Sequence, residues 1–389
     1  MTIPTDTIPS AILSAVATFA FLWLFYPAWA VLIADHLEWD VEEMTLSDAQ
    51  TSEPPLLSLV IPAYNEQDRI PIMIRETFDY LASQRGEKLL QKLQSCAESK
   101  TTSSHDDEPT NNTLSSKEKI RNGGSKPKVE WIIVNDGSTD ETCDTVRKTY
   151  EELMAGKVTV NVENKSFVAS AYDWKWKLVS LKRNAGKGGA VKTGMNLAQG
   201  MFQLMVDADG ATEFGYGLEN LTRELEAHTL GMVKPSAENG GSRKDSSEPM
   251  IALFGSRAHL EKGSTAERSF VRTLLMKAFH FFVSLFVSTK VHDTQCGFKL
   301  FTKAASCAIF QTLHLRRWAF DTEIVLLCDR VSIDVIEVAV RWKEIDGSKL
   351  STSKLALAIV SISMLRDMIC VRSCYTLGIW RVNMSYLRK

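Results

Sequence analysis

A chain of 389 residues, 44% of them apolar, has enough material to bury one large domain or two medium ones. Its net charge of −2 argues against the clustered basic surface that nucleic-acid binding needs, so no nucleic-acid partner is expected. Seven scattered cysteines without a Cys-x-x-Cys pair fit a reducing compartment rather than a disulfide framework or a zinc site.

From Ile8 to Ala34 no residue is charged, and about 20 apolar residues are enough to cross a bilayer as a helix. No Lys or Arg precedes Arg69, so the basic flank of a cleaved signal peptide is missing. Residues 8–34 therefore read as an uncleaved signal anchor forming one transmembrane helix. Pro27 is a tolerated kink within it, and Trp23, Tyr26, Trp29 and Trp39 are interfacial anchors. An acidic linker fills 35–55.

The run Leu56–Ile61 has a buried-strand pattern, closed by the polar turn Pro62-Ala63-Tyr64-Asn65-Glu66, and Arg69–Leu81 reads as a helix. Residues 95–128, rich in Ser, Thr, Asn and charge, read as a disordered insertion. A second strand, Val129–Val134, ends in Asn135-Asp136-Gly137-Ser138-Thr139-Asp140. Ser138 or Thr139 then predicts the cap of a helix to about Met154. Val158–Val162 and Lys177–Leu181 are further strand candidates. The turn Arg183-Asn184-Ala185-Gly186-Lys187-Gly188-Gly189-Ala190 opens a helix to about Gln199, and Met201–Val206 is a strand running into Asp207-Ala208-Asp209. This alternation argues for an α/β fold with a mostly parallel sheet flanked by helices, occupying 56–353.

A second polar segment at 235–248 reads as another disordered insertion, and Ile251–Arg257 as a strand ending in a Gly-Ser-Arg turn. The aromatic helix predicted over Arg268–Val287 is open between a core and a membrane-interface position. Ile333–Val340 is a last strand. The tail 354–389 is helical in pattern and suited either to pack on the fold or to rest on anionic lipid.

Chemistry concentrates where strands run out. In an open α/β sheet ligands bind beyond the carboxyl ends of the strands, and there the chain places Glu66, Asp136 and the pair Asp207 and Asp209. Two carboxylates, with waters and phosphate oxygens, are the usual setting for a hard divalent cation. Lys187 adds a point charge at a helix N-terminus, whose free N–H groups and dipole favour phosphate. The spacing is neither Gly-x-x-x-x-Gly-Lys-Ser/Thr nor Gly-x-Gly-x-x-Gly. What such a set suits is a nucleotide diphosphate bridged to Asp207 and Asp209 by the metal, which stabilises the leaving group.

Four ordered motifs, Val60–Glu66, Val134–Ser138, Asn184–Ala190 and Asp207–Asp209, resemble those of the inverting GT-A glycosyltransferases of family two. Asp293–Phe301, Arg317–Glu323 and the single anchor resemble the branch that glucosylates dolichyl phosphate. The resemblance implies a Rossmann-like GT-A fold with one N-terminal transmembrane helix. It also implies transfer of glucose from UDP-glucose to dolichyl phosphate on the cytosolic face of the endoplasmic reticulum membrane, for protein N-glycosylation, with Mg²⁺ or Mn²⁺. By position, Pro62, Ala63, Tyr64 and Glu66 cradle the uridine, Asp136 binds the uracil, and Lys187 and Gly188 lie by the nucleotide. Asp207 serves ribose or metal, and Asp209 is the firmest metal ligand. Arg257, Lys299 and Arg317 are the candidates for the acceptor phosphate, with Arg316 as a substitute for Arg317, and Asp321 or Glu323 for a sugar hydroxyl. No obligatory base is expected, because a phosphate acceptor is already anionic at neutral pH.

Two departures stand out. Asn135 replaces the first Asp of the usual Asp-Asp-Gly-Ser turn, and Ala211 occupies the place where a mannosyl branch has a third metal ligand. A GDP-mannose-using polyprenyl-phosphate mannosyltransferase and a non-catalytic nucleotide-sugar-binding protein remain the alternatives. A homo-oligomer stays open.

Overall fold

The computed structural model describes residues 10–35, 41–46, 54–98, 128–156, 174–230, 249–257, 291–345 and 354–383, with three residues between 282 and 285. The expected strand at 158–162, the second insertion, and nearly all of the aromatic helix at 268–287 lie outside the described residues.

Among the described residues eight strands form one sheet: β1 (Val41–Thr45), β2 (Leu57–Ala63), β3 (Val129–Asn135), β4 (Lys175–Leu181), β5 (Phe202–Val206), β6 (Ile251–Ser256), β7 (Phe298–Thr302) and β8 (Asp334–Ala339). Their order is β1-β4-β3-β2-β5-β7-β6-β8. The β4–β3, β3–β2, β2–β5 and β6–β8 pairings are parallel, and β1–β4, β5–β7 and β7–β6 antiparallel. The mostly parallel sheet is thus as expected, with β1 reversed at one edge and β7 reversed within the sheet.

The central strands read as unbroken apolar runs because both faces are covered. On one face Val60, Ile132, Val134 and Met205 join a core with α6 (Lys187–Leu197), α8 (Lys303–Phe310), α9 (Phe320–Val331) and α10 (Lys354–Thr376). On the other, Leu59, Ile61, Trp131, Ile133 and Leu204 pack under α3 (Ile70–Ala82), α4 (Gln84–Glu98), α5 (Thr142–Met154) and α7 (Phe214–Thr229). Trp131 and Trp176 stack there at 4.2 Å and 7°.

Several expectations are corrected. The linker at 35–55 contains β1, an exposed edge strand whose Glu43 pairs with Lys177 at 3.0 Å. The first insertion cannot start at 95: α4 continues to Glu98 and buries Cys96, and Lys128 accepts a hydrogen bond from Leu56 at 2.9 Å. Ser138 and Thr139 do not cap α5. Its first flanking residue is Glu141, and the Ser138 hydroxyl instead accepts the Asn65 N–H at 2.9 Å.

The anchor region is two helices, α1 (Ser10–Leu24) and α2 (Tyr26–Asp35), rather than one. Pro27 has no N–H for the carbonyl one turn earlier, and the two helices meet at Phe25, which still donates to Phe21 O at 3.0 Å and accepts from Trp29 N at 3.1 Å. Fifteen residues of α1 rise about 22 Å, short of a bilayer core of about 30 Å. Among the described residues no helix is long and apolar enough to cross a membrane. Ala28 and Val31 of α2 are buried against α10, which packs on the fold through Met368, Val371, Cys374 and Tyr375. Phe19, Phe21, Trp23 and Trp29, with Ile359 and Ile362 of α10, stay exposed.

Candidate active site

One edge of the sheet collects nearly every polar motif, and the pairing directions explain why. The parallel strands β2, β3, β4 and β5 all end there, delivering the turns at Glu66, Asp136, Lys187 and Asp207. Because β7 runs antiparallel to β5, its start lies at the same edge, and β6, antiparallel to β7, ends there at Ser256 with Arg257 next.

The first two turns are sewn to each other. Ala63 O accepts Asp136 N at 2.8 Å, Asn65 Oδ1 accepts Thr139 N at 2.8 Å, and Thr142 Oγ1 accepts Glu66 N at 2.8 Å. Asn65 takes a left-handed φ of 54°, which Asn tolerates better than most residues. Glu66 is held by Arg69 through both carboxylate oxygens, Pro62 and Ala63 lie beneath, and Tyr64 is left 38% exposed at the surface. Asp136 is buried and its Oδ1 accepts the Ala185 N–H at 2.6 Å. Burial pushes its carboxyl up to about 6, against the opposing pull of the Ala185 and Gly186 N–H groups. Its first task is therefore to hold the glycine turn.

That turn has a packing reason beyond phosphate. A side chain at Gly186 would meet Arg316 O at 2.6 Å, and one at Gly188 would meet Phe320 Cβ at 2.6 Å and Leu315 O at 2.7 Å. Gly189 donates its N–H to Arg316 O at 2.9 Å. The glycines let the loop 313–317 lie across the N-terminus of α6, and Gly188 is buried beneath it. The sequence reading missed this contact, since 130 residues of chain separate the two partners.

Lys187 reaches across to Asp207, Nζ to Oδ1 2.6 Å. Burial works against its charge, but Asp207 and Asp321 outweigh it and raise the ammonium's pKa, with Asp209 adding to the pull. Asp209 turns Oδ1 back onto the Ala211 N–H at 3.0 Å. Asp207 and Asp209 are part-exposed, and no cluster of three His, Cys, Asp or Glu ligands exists among the described residues. Two carboxylates beside an ammonium fit a divalent cation that takes its remaining ligands from diphosphate and water.

Lys299 is placed differently from expectation. It is fully buried, its ammonium donating to Asp321 Oδ1 at 2.7 Å and Cys296 O at 2.6 Å, with the Phe254 ring 5.2 Å away. A charge so deep must be paired, and the pair leaves Lys299 out of reach of an acceptor phosphate. Asp321 is buried with it, and desolvation raises its pKa despite Lys299 and Lys187. Glu323 is also removed from any sugar. It is fully buried and accepts the N–H groups of His314 and Leu315 and the hydroxyl of Tyr375. Cys296 beside them is pushed up to about 11 by burial, so its thiol stays neutral.

Arg257 is part-exposed over the Trp342 ring at 5.5 Å and gripped in bidentate fashion by Asp293 at 2.8 Å. Glu337 in turn accepts the Asp293 N–H at 2.8 Å. Asp293 would be raised by burial, but Arg257 outweighs that and its pKa is lowered. Asp293 stood in the sequence only as the start of the 293–301 motif, without this role, and Glu337 carried no signal at all. Arg317 is exposed on the loop beside the glycine turn, Trp318 next to it is 40% exposed, and Phe320 is fully buried.

A mostly parallel sheet with acids and bases collected at its strand ends is the setting of a ligand site in an open α/β fold. A profile described as glycosyl transferase family 2 matches residues 111–306, half of the chain, so the chain is a family-two glycosyltransferase. The dolichyl-phosphate beta-glucosyltransferase of Dictyostelium discoideum is 36% identical over 84% of this chain and 77% of its own length. Those of Homo sapiens (33%, covering 88% and 83%) and Saccharomyces cerevisiae (32%, covering 87% and 80%) are similar as well. The chain belongs to the dolichyl-phosphate beta-glucosyltransferase family. Among solved structures, glucosyl-3-phosphoglycerate synthase from Mycobacterium tuberculosis with Mn²⁺, UDP and glucosyl-3-phosphoglycerate matches at 13% identity and a TM-score of 0.39, over 84% of this chain and 82% of that one.

Proposed function

We propose that the protein transfers glucose from UDP-glucose to dolichyl phosphate with inversion, giving dolichyl β-D-glucosyl phosphate and UDP. The observation that carries this reading is the group Lys187, Asp207, Asp209 and Arg257 at one sheet edge, next to the anion-favouring start of α6. The uridine lies on the turns at Tyr64, Glu66 and Asp136. Asp209 and Asp207 hold Mg²⁺ or Mn²⁺, which when bound offsets the charge developing on the UDP leaving group. Lys187 moves from Asp207 toward the diphosphate. Arg257, fixed in direction by Asp293, receives the acceptor phosphate in the planar geometry guanidinium favours, and Arg317 borders it. Asp321 and Lys299 form a buried floor that keeps Asp207 and Lys187 in place. No side chain must remove a proton, because the second ionisation of a phosphate monoester lies at about 6.

The catalytic domain faces the cytosol at the endoplasmic reticulum membrane in this reading, with α1 and α2 as the anchor and the exposed side of α10 beside lipid. The test is turnover of UDP-glucose and GDP-mannose by the full chain with dolichyl phosphate and Mg²⁺ or Mn²⁺. UDP release from UDP-glucose, lost in Asp209→Asn, is expected. Preference for GDP-mannose would replace the glucosyl reading, and release of no nucleotide from either donor would favour a binding protein.

A further inference from the structure

Gly297 stands directly opposite Asp207. Strands β5 and β7 are antiparallel with Val206 paired to Phe298, so one step further along the same register sets Asp207 against Gly297. Residues opposite each other on adjacent strands project to the same side, where their side chains ordinarily share the space. Here only one of them has a side chain. A Cβ at Gly297 would overlap Oδ1, Oδ2 and Cγ of Asp207 inside any real contact distance. The backbone does not demand glycine at this position: Gly297 is not among the residues of positive φ, so an L-residue is allowed there by conformation. Space alone selects it. The flanking Cys296 and Phe298 are buried, which keeps the strand from backing away.

We propose that Gly297 is a positioning residue. The missing side chain opens a slot in which the Asp207 carboxylate lies flat against β7, with Oδ1 toward Lys187 at 2.6 Å. Any side chain at 297 drives that carboxylate off its line, breaks the ion pair, and misdirects the oxygens that meet the metal and diphosphate. Asp209, whose Oδ1 is held by the Ala211 N–H, is not touched by the change. This rests on the reading of Asp207 as a metal ligand, and the experiment separates the two.

The full chain and its variants are titrated with Mn²⁺ in the presence of UDP, and with UDP alone in chelator, alongside thermal unfolding. Gly297→Ala is expected to weaken Mn²⁺ binding by about tenfold or more, the usual scale for disturbing a ligand's support, while UDP affinity in chelator does not fall, since the uridine turns are unaltered and Lys187, released from Asp207, still faces the diphosphate. In an Asp207→Gly background the added alanine has nothing to strike, so it should change neither Mn²⁺ affinity nor the unfolding temperature. Wild-type Mn²⁺ binding by Gly297→Ala would overturn the proposal. So would a loss of stability from that alanine equal with and without the Asp207 side chain, an outcome that also decides the matter if Gly297→Ala folds poorly. Unchanged Mn²⁺ affinity in Asp207→Gly alone would instead overturn the metal role of Asp207.

Discussion

At the scale of single residues, the same acid types sit in three different environments and do different work. Asp209 is half open and free to meet a cation, Asp321 is buried on a lysine, and Asp136 is buried on backbone N–H groups. Asp136 yields a pH prediction. Its carboxyl, raised to about 6 by burial, takes up a proton as pH falls through that value, and the protonated form grips the Ala185 and Gly186 N–H groups less well. The turn that carries Lys187 then loosens, so KM for UDP-glucose should rise below about pH 6 and Asp136→Asn should flatten the profile. The stability effect has the opposite sign. A raised acid binds its proton more tightly when folded, so this group's contribution to stability declines as pH climbs from about 4 to about 6. Initial rates across about pH 5–8 and thermal unfolding across about pH 4–8 check the two; a KM profile unaffected by Asp136→Asn would show that the turn does not depend on the charge.

At the scale of elements, the strands and helices around the site follow from local pattern, and their ends follow from partners. Helix α4 runs on to Glu98 because Leu89, Leu90, Leu93 and Cys96 bury one face, whereas composition alone read Ser95 as the start of an insertion. The next described residue, Lys128, feeds directly into β3. Deleting 100–126 and joining the ends through a short Gly/Ser linker should leave UDP-glucose turnover within about twofold and the unfolding temperature nearly unchanged, since loop length costs little in closure entropy. Loss of soluble folded protein would show that the segment is part of the core. The anchor illustrates the reverse case: 8–34 is uniformly apolar, yet the missing N–H of Pro27 divides it into two helices, a break that hydropathy does not register.

For the whole molecule, the side of the membrane on which the domain lies has a direct probe. Asn111, Asn164, Asn220 and Asn383 each begin an Asn-x-Ser/Thr acceptor sequence. Asn220 is uninformative, because it is buried in α7 and its amide donates to Ala339 O at 3.2 Å. If the domain faces the cytosol, glycosidase treatment of protein from cells should cause no mobility shift, and Asn111→Gln and Asn383→Gln should migrate as wild type. A glycan at Asn111, Asn164 or Asn383 would place the domain in the lumen.

The sequence by itself determined the strand–helix alternation, the four turns at the strand ends and their order, because each depends on local periodicity and turn chemistry that neighbouring residues carry. It also pointed to Lys187, Asp207, Asp209 and Arg257, which the fold brings to one edge. Only the tertiary structure decided the rest. Lys299 and Glu323 resembled site residues by type, but burial among partners 22 and 52 residues away turned them into supports. Gly188 resembled a phosphate glycine, and packing under the loop at 315–317 gave it a second reason to be small. Glu337 had no local signature, and Asp293 and Gly297 lay in a motif that gave neither a role, since what matters is the strand register that sets each beside its partner. Charge and size are written residue by residue, whereas desolvation and contact exist only once distant segments meet.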